Sequence, residues 1–99
     1  MEIVKVWAGE VLQLKVEGRL DTTTAPELDR AITEEIDFAT SLVFDFSELA
    51  YVSSAGLRVL LSAQKSMNTK KGKMVIRNVD EAIMEIFEVT GFSDILTIE

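Results

Sequence analysis

Two hydroxyl clusters carry the residues best suited to chemistry. One is Ser53-Ser54-Ala55-Gly56-Leu57, opening a segment of helical apolar periodicity. The other is Asp21-Thr22-Thr23-Thr24, following a run of alternating apolar residues. A serine at a helix start normally caps it by accepting a backbone N–H, worth about 1 kcal/mol. Here there are two serines where one would serve. Gly56 stands in the first turn, where it weakens the helix yet clears bulk beside Ser54. A phosphate on Ser54 would meet free N–H groups and the positive end of the helix dipole, so the fold could carry it without strain. It would add about −1.5 to −2 charges to an exposed edge, enough to weaken docking to a partner by repulsion and desolvation. The serine pair therefore reads either as a cap or as a cap joined to a switch.

Most other chemistry is removed by composition. The 99 residues contain no Cys and no His, which excludes disulfides, thiolate or imidazole metal sites, cysteine nucleophiles and a Ser-His-Asp triad. The length fits one domain, residues 1–99, with no Gly/Ser-rich linker and no internal repeat. A balance of 17 acidic against 10 basic side chains argues against direct nucleic-acid binding. Residues 1–50 hold 11 acidic and 4 basic side chains, whereas residues 51–99 hold 6 of each. No apolar run approaches the ~20 residues of a membrane span, and Met1-Glu2-Ile3-Val4-Lys5 lacks the pattern of a signal peptide. A cytoplasmic protein without membrane insertion is expected.

The elements that must position these clusters follow from the patterning. Ile3–Trp7 and Val11–Val16 read as strands joined by a turn at Ala8-Gly9-Glu10, with Gly18 and the Asp21–Thr24 cluster ending the hairpin. Thr24 and Glu27 have capping-box spacing, Pro26 suits a first turn, and Leu28, Ala31, Ile32 and Ile36 recur at helical intervals. Leu42–Phe46 is dense enough for a buried parallel strand. A second helix is expected over about 54–69, with Leu57, Leu60, Leu61, Gln64 and Met67 inward. Gly72 serves as its left-handed terminator, and Lys70 and Lys71 complement its dipole. Lys73–Arg77 is a further strand, and residues 79–90 a third helix ending at Gly91-Phe92. Ile95–Ile98 reads as a last short strand. The order β-β-α-β-α-β-α-(β) implies an α/β fold whose mixed sheet has a hairpin edge and a parallel centre. The loops after its parallel strands, at residues 21–24, 47–54 and 78, should share one edge.

Other groups have plainer readings. Asp45 ends a strand and suits local hydrogen bonding better than the aspartyl-phosphate chemistry of a receiver domain, since no acidic pair follows the first strand. Lys70-Lys71-Gly72-Lys73 lacks a preceding Gly-rich loop. Glu34, Glu35 and Asp37 form a solvated face. Val59 lies off the inward stripe, near Arg58 and Ser62, and reads equally as incidental surface or as a partner contact beside Ser54.

Gly18-Arg19-Leu20-Asp21, Thr24-Ala25, Leu28, Asp45-Phe46-Ser47, Tyr51-Val52-Ser53-Ser54-Ala55-Gly56-Leu57 and Thr90-Gly91-Phe92 together resemble the anti-sigma factor antagonists, the STAS-domain family of bacteria. The resemblance covers nearly the whole chain and implies a STAS-like fold. It further implies a partner-switching cycle. The unphosphorylated protein binds an anti-sigma factor and releases the sigma factor for transcription. The anti-sigma factor, itself a serine kinase using ATP and Mg²⁺, phosphorylates the antagonist, and a PP2C-type phosphatase reverses this. Counting back two positions from the Gly-Leu pair, the implied phosphoacceptor is Ser54. Several relatives carry Asp immediately before the acceptor where this chain has Ser53, which leaves Ser53 as a minor alternative. Asp21 corresponds to the acidic residue of the neighbouring loop, and the expected partner-binding edge comprises Asp21, Thr22, Thr23, Ser53, Ser54, Gly56, Arg58 and Val59. The protein is expected to be a monomer when free, with no catalytic residue or cofactor of its own. The rival reading is a non-phosphorylated structural subunit of an ABC lipid-transport system or a stress-signalling scaffold.

Overall fold

The computed structural model describes residues 1–99. In chain order the elements are β1 (Glu2–Ala8), β2 (Val11–Leu20), α1 (Ala25–Glu35), β3 (Ser41–Asp45), β4 (Leu49–Val52), α2 (Ser54–Thr69), β5 (Lys73–Arg77) and α3 (Glu81–Val89). Single 3-10 turns lie at Ile36–Phe38 and Phe92–Asp94. β1 and β2 form the expected antiparallel hairpin about Gly9, whose φ is +60°. β2 pairs in parallel with β3, and β3 with β5, so the sheet reads β1-β2-β3-β5 with an antiparallel edge and a parallel centre. The α/β class and the mixed sheet are those expected. No helix is long and apolar enough to cross a membrane.

The departures from the sequence reading have local causes. β2 does not stop at Val16 but runs to Leu20. Gly18 takes a positive φ of +94°, and residues 18–20 pair in parallel with β4, whose Ala50 is the extra, unpaired residue where the register shifts. β4 itself lies inside the stretch read as a loop. It is four residues long, with only Leu49 and Val52 buried, too short to show a period. Thr24 and Glu27 form no capping box: Thr24 has helical φ and ψ and makes no cap hydrogen bond. Its hydroxyl is already engaged, donating to the Arg19 carbonyl at 2.8 Å and accepting from the Asp21 N–H at 2.8 Å.

Helix α2 buries Leu57, Leu60, Gln64 and Met67 as expected, along with Gly56 and Ala63. Leu61 is only half-buried and stands outside the core. The left-handed residue after α2 is Lys71, at φ +59°, and not Gly72. Gly72 is needed for proximity instead: a Cβ there would lie 2.8 Å from the Thr40 carbonyl oxygen and 2.6 Å from the Met67 methyl. Gly72→Ala is therefore expected to destabilise the protein by about 1–3 kcal/mol, read as a lower urea midpoint at unchanged slope. Lys70 leaves the α2 terminus and donates to the Ile36 carbonyl at 2.6 Å. α3 begins later than residue 79, because the Asp80 side chain caps it by accepting from the Ile83 N–H at 2.9 Å. Gly91 takes the expected left-handed conformation, at φ +81°. Residues 95–98 do not form a strand. Only Ile98 bridges to Ile76.

Candidate functional site

β2, β3 and β5 run parallel, so their C-terminal ends meet at one edge, as expected for the loops that follow them. What the sequence did not show is how β4 brings two of those loops together. Leu20 pairs with Val52, and the Ser53 N–H donates to the Leu20 carbonyl at 2.8 Å. The chain leaving β2 at Asp21 and the chain entering α2 at Ser53 therefore lie side by side. Asn78, at the end of β5, closes the same edge by donating to Asp45 Oδ1 at 3.0 Å.

Asp21 organises its loop. Its Oδ1 accepts from the Thr23 hydroxyl at 2.7 Å, the Thr23 N–H at 3.0 Å and the Thr24 N–H at 3.2 Å. The Thr23 hydroxyl foremost, with the two N–H groups, holds the carboxyl below its ordinary value of 3.8 against the opposing effect of desolvation. Thr22 and Thr23 are exposed. Asp45 is likewise held low, chiefly by Asn78, with the Ser47 N–H at 2.9 Å and the charge of Lys15 assisting. This is the local hydrogen bonding expected of a strand-end aspartate. A carboxyl whose folded pKa is depressed stabilises the fold above its unfolded value and loses that contribution as pH falls through the folded value. Melting temperature should thus fall as pH drops below about 4. Asp45→Asn should flatten that fall, in thermal melts recorded against pH.

The two serines divide the roles that the sequence left open. Ser53 has extended backbone, φ −97° and ψ 175°, and is the N-cap of α2, its Oγ accepting from the Gly56 N–H at 3.4 Å. Ser54 is the first helical residue, is exposed, and its hydroxyl makes no hydrogen bond. Gly56 does not clear space beside Ser54. It is buried, and a Cβ there would meet Leu20 Cγ at 2.6 Å and Val52 Cγ2 at 3.0 Å, so its bareness lets α2 close onto the β2–β4 pair. Arg58 is exposed and unpaired. Val59 is half-buried and packs against the core, leaving only part of it at the surface.

The sequence reading missed one neighbour. The Arg19 guanidinium sits over the Tyr51 ring, 4.4 Å from its centroid, with Arg19 Nε 3.8 Å from Asp21 Oδ2. Tyr51 is 37% exposed, so it forms part of the same surface. Only recognition of β4 and its register with β2 would have placed it there. The edge is an open surface. The two surface depressions, about 330 and 240 Å³, lie along α3 and beside β5 and include none of these residues.

A mixed sheet packed by helices, with a free serine hydroxyl at a helix start beside a tightly bonded acidic loop, is the architecture to set against known proteins. The model of the STAS domain matches residues 2–99, and the chain belongs to that family. It is 30% identical over 89 residues to the anti-sigma-B factor antagonist of Listeria monocytogenes, covering 89% of this chain and 78% of that one. An anti-sigma factor antagonist from Mycobacterium paratuberculosis superposes with a TM-score of 0.84 at 25% identity, over 98% of this chain and 83% of that chain. The Bacillus cell fate determinant SpoIIAA, solved in its phosphorylated form, superposes with a TM-score of 0.79 at 16% identity. That match covers 99% of this chain and 91% of SpoIIAA, and at such identity it speaks for the fold alone.

Proposed function

We propose that the chain is an anti-sigma factor antagonist of the bacterial cytoplasm, switched by phosphorylation of Ser54. The observation that carries this reading is the division between the serines: Ser53 is used by the helix, and Ser54 is left exposed and unbonded. The names of its relatives supply the class of partner. In the unphosphorylated state the edge built from Asp21, Thr22, Thr23, Ser54 and Arg58 docks on an anti-sigma factor and frees the sigma factor. The anti-sigma factor acts as the kinase. Ser54 Oγ attacks the γ-phosphorus of Mg²⁺-ATP, the bond to ADP breaks, and the hydroxyl proton passes to a base of the kinase. The new phosphate lies at the N-terminus of α2, where free N–H groups and the helix dipole hold it. Its charge, about −1.5 to −2, then repels the partner beside the Asp21 carboxylate. A PP2C-type phosphatase restores the hydroxyl. In this cycle the chain is substrate and ligand, and contributes no catalytic group.

The test is the complex itself. Mixed with its cognate anti-sigma factor, the chain should co-elute on size exclusion. Adding Mg²⁺-ATP should release it with one phosphate added to its intact mass. Co-purification with a membrane ATPase, with no phosphorylated form in cells, would favour the structural-subunit reading instead.

A further inference from the structure

Helix α3 turns only part of its apolar surface to the core, where Ile83 and Phe87 are buried. At about 3.6 residues per turn, Ala82, Ile86 and Val89 fall in a separate row at i, i+4 and i+7 spacing. Glu81, Glu85 and Glu88 fill the adjoining row at the same spacing, so the apolar row lies between these carboxylates and the core. Ala82 is exposed and Ile86 half-buried. Val89, at 80%, is the most exposed large apolar side chain in the molecule. With Glu85 and Thr90 these three residues line an open depression of about 330 Å³. A lone apolar residue at a surface is ordinary, but a row of three along one depression marks a contact.

The charge around this depression has one sign. Residues 78–99 hold six carboxylate side chains and no Lys or Arg. The elements packed most extensively on α3 are β4, which has no charged residue, and the 3-10 turn Phe92–Asp94, which adds one more carboxylate. Glu81, Glu85 and Glu88 form no ion pair. Arg77, the nearest cation in sequence, is held by Glu99 at 2.9 Å.

We propose that the α3 groove docks a basic amphipathic helix of a partner protein, at a contact separate from the Ser54 edge. Such a helix sets its own apolar row on Ala82, Ile86 and Val89 and its Lys or Arg row against the glutamates. A second copy of the chain is a poor occupant. Its α3 would stack carboxylate on carboxylate, and the buried apolar rows of its α1 and α2 are committed to the core. An anionic membrane surface would meet the same repulsion. The nine residues of α3 span only about 14 Å, so the contact covers two or three turns and holds with micromolar affinity or weaker.

The probe is a synthetic peptide of about 18 residues, long enough to hold a helix, with leucine along one face and lysine along the other. Titrated into the isotope-labelled full chain, it should shift the amide resonances of residues 81–90 before all others. Glu85→Lys and Val89→Asp should each weaken binding at least about tenfold. Both positions are exposed, and circular dichroism should confirm that both variants fold. Asp29→Lys makes the same charge change at an exposed position of α1 and should alter affinity by less than about twofold. Peptides with glutamate for lysine, or serine for leucine, should bind at least about tenfold more weakly. No binding, binding that ignores Glu85→Lys and Val89→Asp, or binding that Asp29→Lys weakens equally would overturn the proposal. A dimer of the free chain that Val89→Asp dissolves would overturn it too, by giving the groove to a second copy.

Discussion

Ser54→Asp should weaken the complex with the anti-sigma factor at least about tenfold, equivalent to 1.4 kcal/mol or more, while leaving the fold as stable as before. Both halves of this expectation come from the position of Ser54. As the first residue of α2 it is exposed and makes no hydrogen bond, so replacing it breaks nothing within the chain. A carboxylate at a helix N-terminus gains about 0.3–1 kcal/mol from the dipole, so urea unfolding should show an unchanged or slightly higher midpoint. The partner meets a different surface. The Asp21 carboxyl, held ionised by Thr23 and Thr24, already lies next to this point of the chain, and a second anion beside it must be desolvated on docking. Like-charge juxtaposition across an interface costs several kcal/mol, which exceeds the dipole gain. Equal affinity by calorimetry would remove repulsion as the basis of release.

Gly56→Val should lower stability by about 1–3 kcal/mol and disturb the switch with it. Helix propensity alone favours the change, since valine is better than glycine in a helix interior by roughly half a kcal/mol. Packing decides against it. The new Cβ would lie 2.6 Å from Leu20 Cγ and 3.0 Å from Val52 Cγ2, and both residues are buried in the core. Relief requires α2 to lift away from the β2–β4 pair. The same movement strains the 2.8 Å bond from the Ser53 N–H to the Leu20 carbonyl that sets Asp21 beside the serines. A lower urea midpoint is expected together with slower phosphorylation. An unchanged midpoint would mean that this close approach does not restrict position 56.

Much of this architecture was legible because its signals are local or periodic. The hairpin about Gly9, the apolar run of β3, the long stripe of α2 and the left-handed Gly91 each announce themselves within a few residues. The parts that went unread depend on contacts distant in sequence. β4 has four residues and no period, and it is defined only by its pairing with residues 18–20 of β2, around the bulge at Ala50. Without β4, Tyr51 cannot be placed under Arg19, and Gly56 looks like a clearing for Ser54 when its space belongs to Leu20. Thr24 shows how a local motif misleads: its spacing to Glu27 suits a capping box, but its hydroxyl is more strongly placed between Arg19 and Asp21. Halving the chain also concealed a charge division. Within the neutral second half, residues 51–77 carry all six basic side chains and residues 78–99 all six acidic ones. The candidate site itself was found by residue type, but the separate duties of Ser53 and Ser54 needed the backbone geometry at the start of α2.

That separation gives the most direct measurement. Ser53→Ala and Ser54→Ala should be incubated side by side with the cognate anti-sigma kinase and Mg²⁺-ATP, and their intact masses recorded. Ser53→Ala should lose about 0.5–1 kcal/mol of stability, the low end of the range for a cap whose hydrogen bond is long, and should still gain one phosphate. Ser54→Ala should keep its stability and gain none. A phosphate retained by Ser54→Ala and lost by Ser53→Ala would contradict the assignment of cap and acceptor on which the account rests.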